Sequence, residues 1–282
     1  MWGDRGMPKR RLQVACLIRP DAPLFYFVNS VHAAYGVALA IVETRPIGTR
    51  LRKRFRAGGM SGLASAFRTR LRALADIRRY KADCLRVLGR GWDALDSSIP
   101  TLFVTNINGE ESVRALRDIA PDLLLDHGTS LVKHDVLHTC PLGLNVHWGL
   151  APYYRGTHCT EWALLHRDPL NIGVTLHSLS DAIDGGDIVS QARVEVEETD
   201  TVHSINMKLT RDGTKLATQA VLRLADGKQL PFVRQDLSLG RVTFLREWGS
   251  TQEHLVRQLE RPIAMRDLLA RPSRVAMPLV TW

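Results

Sequence analysis

Short apolar runs rich in β-branched residues alternate along this chain with longer segments whose apolar residues recur every three or four positions. Residues 12–18 and 37–44 are two such runs, and 24–35 between them has the length and spacing of a helix. This trio predicts a β-α-β unit and therefore a parallel sheet. Further strands are expected at 101–105, 122–126, 143–147, 173–179 and 188–196, with helices at 110–119, 160–165 and 201–224. Strand and helix in alternation give an α/β fold, Rossmann-like and doubly wound, around a mostly parallel sheet. No GxGxxG follows the first run. Arg19-Pro20-Asp21 stands there instead, which argues against a nucleotide pyrophosphate at that turn. From 236 onward the pattern weakens to one helix at 251–260 and a Pro-interrupted tail.

The segment 45–90 breaks the alternation. It holds 14 Lys and Arg against only Asp76 and Asp83. Gly58-Gly59 divides it into two helical pieces. In the second, Leu63, Phe67, Leu71, Leu74, Ile77 and Leu85 suggest an apolar stripe with arginines on the opposite face. The whole chain carries a formal charge of +9, from 38 basic and 29 acidic side chains. Residues 1–100 hold 19 basic and 7 acidic groups, so the excess belongs to the first third. The reading is one α/β domain over 1–226, a basic helical insertion at 45–90, and a small C-terminal extension over 227–282. The insertion reads as a solvated hairpin, as an attractor for an anionic substrate, or as a surface for RNA or anionic lipid.

Composition excludes a disordered chain and a disulfide scaffold. Cys16, Cys84, Cys140 and Cys159 form no CxxC, which suits a reducing, cytoplasmic setting. The apolar runs are too short to span a bilayer, so no membrane span is expected. The segment after the charged start resembles a signal peptide only briefly and reads as a buried strand. His134 and His138 have i, i+4 spacing, yet no HExxH or CxxC accompanies them, and no metal is expected.

Residues 143–188 carry the chemistry. A strand ends in Asn145-Val146-His147, and residues two apart on a strand share a face. Asn145 and His147 can thus converge on one atom at the carboxyl end of the strand, where open parallel sheets bind ligands. Asp184 lies in Asp184-Gly185-Gly186-Asp187, a tight turn by its glycines. Asn supplies a neutral donor, protonated His a charged one, and Asp can orient the ring and raise its pKa. With no Ser or Cys nucleophile placed among them, the set suits acyl transfer to a nucleophile brought by the substrate. Alone, an N-x-H pair is usually a structural hydrogen-bonding pair, and DGGD is usually a turn. Cys159 beside His158 more often packs or caps than attacks. The ordered series as a whole is what matters.

That series resembles the folate-dependent formyltransferase family. The family pattern N-x-H-x-S-L-L-P, Y/W-R-G, W-A-I/L, G-V-T and D-T-G-D-I is matched by N-V-H-W-G-L-A-P, Y-Y-R-G, W-A-L, G-V-T-L-H and D-G-G-D-I, in order and with similar gaps. Pro121-Asp122 and Asp126-His127-Gly128 also resemble the family's preceding strand and loop. The likeness covers roughly 100–225 well, and 10–44 only as a generic β-α-β. It implies N10-formyltetrahydrofolate as donor and a primary amine as acceptor, with Asn145, His147 and Asp184 catalytic. It implies donor binding by the loops Gly128–Leu131 and Ser180–Ile183, with Gly128, Ser130, Leu131, Ser180, Asp181 and Ile183 as candidates. Trp148, Tyr154 and Arg155 are candidates for touching the acceptor.

The chain departs from the pattern at Gly149 and Ala151, where the family has Ser and Leu, and this puts the acceptor in doubt. The tRNA-directed members carry a sizeable C-terminal β-domain, and no clear run of strands follows Asp226, so nucleic acid is not the expected partner. A nucleotide-linked amino sugar, or another biosynthetic amine, is the expected acceptor. The oligomeric state, a homodimer included, stays open. The alternative is a catalytically altered formyltransferase fold serving as an RNA-binding or scaffold module.

Overall fold

The computed structural model describes residues 11–44 and 77–282. Most of the basic segment, with Gly58-Gly59, Leu63, Phe67, Leu71 and Leu74, lies outside the described residues.

Seven strands form one sheet: β1 (Val14–Ile18), β2 (Leu39–Glu43), β3 (Thr101–Val104), β4 (Leu123–His127), β5 (Gly143–His147), β7 (Gly173–Ser178) and β8 (Ile188–Arg193). Their order is β3-β2-β1-β4-β5-β7-β8. The first five are parallel; β7 runs antiparallel to both β5 and β8. The order reverses at β1, with β2 on one side and β4 on the other, as in a doubly wound fold. A short strand β6 (Tyr154–Gly156) pairs outside this sheet with β9 (Arg241–Thr243).

Each central strand is apolar on both faces, as a sheet covered on both sides requires. Val14, Cys16 and Ile18 of β1 join one core, and Ala15 and Leu17 join the other. The first core is closed by α1 (Ala22–Ala34) and by α6 (Val202–Ala225), which pack on each other. The long helix α6 starts at a reciprocal cap, with Thr201 Oγ1 accepting from Ser204 N and Ser204 Oγ from Thr201 N. The second core is closed by α3 (Glu110–Ile119) and the single turn α4 (His134–Leu137). These helices reach only as far as β4. Beyond it, the same face of β5 and β7 is left to loops, and there the candidate residues lie.

Two sequence readings need correction. Ile77 and Leu85 were expected on a buried stripe, yet both are half exposed, at 51% and 53%. Residues 77–88 are helical (α2), but the buried side is Cys84 and Leu88, with Tyr80 and Val87, set against Met207 and Trp92. The packed face is therefore rotated from the more apolar one, because Met207 on α6 selects it. The Pro-rich tail also contains more order than its prolines suggest. Pro262 opens a helix, α8 (Pro262–Ala270), after α7 (Ser250–Leu259). A proline costs nothing in the first turn, where its missing N–H has no helical partner anyway. The helix α5 (Cys159–Leu165) follows β6 and packs against α7.

Candidate active site

Strand register gathers the polar groups. Asn145 on β5 stands opposite His177 on β7 and beside Asp126 on β4; His147 stands opposite Thr175. Paired residues on neighbouring strands share a face. Asp126, Asn145 and His177 thus form a row across three strands, on the face opposite α1 and α6.

Asp184 reaches this row from the β7–β8 loop. Its φ is 46°, in the left-handed region, and Gly186 beside it passes so close to β7 that a Cβ would lie 1.8 Å from the Ser178 carbonyl oxygen. The carboxylate accepts from Asn145 Nδ2 at 3.2 Å through Oδ1 and from the Gly156 N–H at 2.8 Å through Oδ2. Oδ2 is 3.4 Å from His147 Nδ1, and Oδ1 is 3.5 Å from His177 Nε2. His147 Nε2 lies 2.9 Å from the Tyr154 carbonyl oxygen. Both ring nitrogens of His147 therefore face oxygens that only accept, an arrangement that the imidazolium satisfies fully.

Electrostatics sharpen the pairing. Burial pulls His147 below the usual histidine value, and Asp184 pushes back. Burial alone would raise the Asp184 carboxyl. The His147 and His177 rings and the Gly156 N–H outweigh it and hold it well below the usual carboxylate range. His177 Nδ1 lies 2.9 Å from the Ser178 carbonyl oxygen, and its Nε2 lies 3.2 Å from Asn145 Nδ2. Cys159 Sγ is 3.6 Å from His147 Nε2, but burial pushes its thiol well above the ordinary value, so it supplies no thiolate.

The other candidates divide. Gly128, at φ 77°, opens the loop after β4, where Ser130 N–H donates to Glu43 Oε2 at 2.7 Å and the Leu131 carbonyl accepts from Asn108 Nδ2 at 3.0 Å. Leu131 is half exposed beside it. In the second loop Ser180 Oγ donates to the Ala182 carbonyl at 3.1 Å, and Asp181 is exposed. Among the described residues, the N–H groups of Asp181, Ala182 and Ile183 have no partner in the chain. The two loops flank the row, and free backbone donors on one of them fit a ligand held through backbone groups.

The side chains of the three acceptor candidates are engaged by neighbouring parts of the chain. Trp148 packs on the opposite core, edge-on to His127 at 5.4 Å. The Tyr154 side chain is buried, its hydroxyl donating to Asp168 Oδ2 at 2.7 Å, so it serves the site through its carbonyl instead. Arg155 is buried and donates to the Pro152 and Leu237 carbonyls at 3.2 and 3.0 Å. His134 and His138 stack at 3.7 Å on an exposed turn, and no cluster of metal-ligating side chains occurs among the described residues.

Sequence reasoning passed over His177, Asp126, Glu43, Thr175 and Gln235. His177 had a signal, since it ends the G-V-T-L-H motif on the face of Thr175. Thr175 Oγ1 donates to the Gly149 carbonyl at 2.7 Å and accepts from Ala151 N at 3.0 Å, which pins the loop after His147. Asp126 is 6% exposed and accepts from Thr129 Oγ1 at 2.5 Å. Burial raises it to about 7, against the Thr129 hydroxyl and with help from Asp184. Its folded value lies above the unfolded value of about 3.9. Its contribution to stability is therefore complete below about pH 4 and lost as the pH rises through about 7. Asp126→Asn is expected to gain about 2–3 kcal/mol on the wild type between pH 5 and pH 8, read from urea unfolding at both. A pH-independent gap would refute this.

Residues 104–221 match the formyl transferase family. The matched residues include Asn145, His147, His177 and Asp184. A methionyl-tRNA formyltransferase from Bacteroides fragilis is 29% identical over 147 residues, 52% of this chain and 45% of that protein. The chain thus spans about half the length of the curated relatives it matches. Among solved structures, a sugar N-formyltransferase from a Shewanella species shares the fold at a TM-score of 0.54, with 14% identity over 86% of each chain. Glycinamide ribonucleotide transformylase 1 from Symbiobacterium toebii does so at 0.53, with 18% identity over 81% of this chain and 99% of that one. The doubly wound fold of this chain is shared with both.

Proposed function

We propose that this protein is an N-formyltransferase that moves a formyl group from N10-formyltetrahydrofolate to a primary amine. The carrying observation is the convergence of Asn145 Nδ2 and His147 Nδ1 on the two oxygens of Asp184. When bound, the donor supplies an activated formyl carbon. Gly128–Leu131 and Ser180–Ile183 would hold it from the two sides of the row. By turning an N–H away from Asp184, His177 or the Tyr154 carbonyl, Asn145 and His147 would donate to the formyl oxygen as charge develops there, and each such donor is worth about 10²–10³ in rate. The C–N bond formed at the acceptor replaces the one at the donor, and one proton passes from acceptor nitrogen to donor nitrogen. Asp184 stands beside both donors and can help pass that proton through water, while keeping His147 oriented and offsetting part of the burial that disfavours its protonated form.

Direct transfer suits the absence, among the described residues, of an activated nucleophile around His147, where burial raises the Cys159 thiol well above the ordinary value. Two relatives are a methionyl-tRNA formyltransferase and a sugar N-formyltransferase, so relatives act on very different amines. The acceptor that the sequence favours is a nucleotide-linked amino sugar or a similar small amine, and a reducing cytoplasm suits the unpaired cysteines. No described helix is long and apolar enough to cross a membrane. The test is an assay of formyl loss from the donor against a panel of amines that includes nucleotide-linked amino sugars. It is run beside a titration with a folate analogue. Turnover with one amine and stoichiometric analogue binding are expected. Neither turnover nor binding, with salt-dependent RNA affinity instead, would favour the scaffold reading.

A further inference from the structure

Asp184 does not hold its own position. It is a non-glycine residue in the left-handed region, which costs about 1–3 kcal/mol unless the surroundings impose it. What imposes it comes from a stretch far along the chain. Gln235 is 8% exposed, and its Nε2 donates to the carbonyl oxygens of both Asp184, at 3.0 Å, and Gly186. Two residues earlier, Val233 exchanges both backbone hydrogen bonds with Ile188 at 2.8 Å, which fixes the register of Gln235 against the turn. Two residues later, the Leu237 carbonyl accepts from Arg155.

The same stretch also holds the far side of the carboxylate. Asp184 Oδ2 accepts from the Gly156 N–H, and Gly156 pairs with Thr243 in the β6–β9 ladder. The approach is so close that a Cβ on Gly156 would lie 2.1 Å from the Thr243 carbonyl oxygen. Residues 233–243 therefore clamp Asp184 at its backbone directly and at its carboxylate through Gly156. The Gln235 amide also bears a cost that a packing residue would avoid. Its Oε1 is buried without a hydrogen-bond partner among the described residues.

We propose that Gln235 is a positioning residue of the formyl-transfer site, and that residues 233–243 belong to that site rather than to an appendage. The reaction part rests on the function proposed above; the positioning part does not. Gln235 sets the turn that keeps Asp184 Oδ2 within 3.4 Å of His147 Nδ1. His147 is faced by Asp184, His177, Arg155 and Cys159, and Asp184 is the anion among them.

The test compares the full-length wild type with Gln235→Met, which keeps length and apolar packing but removes both donors. Three readouts are taken: steady-state kinetics, thermal melting, and the NMR titration of the His147 ring nitrogens. The expected result is a fall in kcat of about 10-fold or more with KM values within about twofold. The His147 titration midpoint should drop by about half a unit or more, since a looser Asp184 supports the imidazolium less. If melting is also affected, kcat is referred to the folded fraction. Gln235→Glu then gives a second reading, because a carboxylate set against two carbonyls should move the turn further and lower kcat at least as much. Wild-type kcat per folded molecule together with an unmoved His147 midpoint in Gln235→Met overturns the proposal. Should the wild type lack formyl transfer, the titration still decides the positioning claim, so failure of the function and failure of the clamp are told apart.

Discussion

Asp184→Asn is expected to lower kcat by about 10²–10⁴-fold, the range for removing a positioned proton-transfer group. The substitution keeps the shape and one oxygen, so the Gly156 N–H or Asn145 still finds an acceptor. What goes is the charge. Burial, His177 and Arg155 then act on His147 against the Tyr154 carbonyl alone, and its pKa falls further below the usual histidine value. The partner that orients His147 and the electrostatic support for its protonated form are lost together. His147→Ala should cost a similar factor, and the double variant little more, because the two act as one unit. Single-turnover formyl transfer measures each; full activity in either variant would sink the mechanism.

The same substitution has a thermodynamic signature. The folded pKa of Asp184 lies below its unfolded value. Its contribution to stability is therefore present above about pH 4 and lost as the pH falls below that. Wild type should exceed Asp184→Asn in unfolding free energy at neutral pH, and the gap should close in acid. Asp126 has the opposite sign, since its folded value is raised. Two aspartates that face one row of side chains thus titrate apart because burial dominates at Asp126, which has a single hydroxyl donor and carboxylates nearby, whereas two imidazoles and the Gly156 N–H outweigh burial at Asp184.

The second large effect is expected at Gly149. A Cβ there would lie 2.4 Å from His147 Nε2, 2.5 Å from the Tyr154 carbonyl oxygen and 3.1 Å from Cys159 Cβ. Two of these atoms are the partners of the bond that fixes the His147 ring. The Tyr154 backbone cannot retreat cheaply, because Tyr154 pairs with Arg241 in the ladder. Gly149→Ala should therefore cost about 1–3 kcal/mol of stability by overpacking. It should also lower kcat by about 10-fold or more through a displaced ring. The family pattern that this segment resembles has Ser at this position. Gly149→Ser is expected to impair this protein and not to improve it, because the loop here has closed onto the space a side chain would fill. Kinetics at pH 7 on both variants, with melting curves, check this. Wild-type kcat in Gly149→Ser would show that the His147–Tyr154 contact does not set the ring.

Much of this architecture was legible before folding was considered. The helix at 110–119 and the strand at 143–147 are found at those bounds, because regular apolar spacing and clear punctuation mark them. Asn145 and His147 were recognisable as a pair because a strand repeats every two residues. Asp184 was marked by its glycines and by its place in an ordered series of motifs. Less legible were residues whose role depends on what packs against them. Ile77 and Leu85 look like core and are exposed, while Cys84 and Tyr80 take the packed face. Tyr154 and Arg155 look like ligand contacts, and their side chains serve neighbouring chain instead.

Local sequence thus determined the elements, their alternation, and the residue types able to stabilise an oxyanion and move a proton. These follow from periods of two and three-and-a-half residues and from the chemistry of single side chains. The tertiary structure alone decided that β7 runs antiparallel to β5, which sets His177 beside Asn145. It alone brought Gln235 to the Asp184 turn, 51 residues away along the chain. It alone gave Asp126 and Asp184 opposite pKa shifts. Such contacts and fields depend on which groups the fold places within a few ångströms of one another, and no short-range pattern in the chain records that distance.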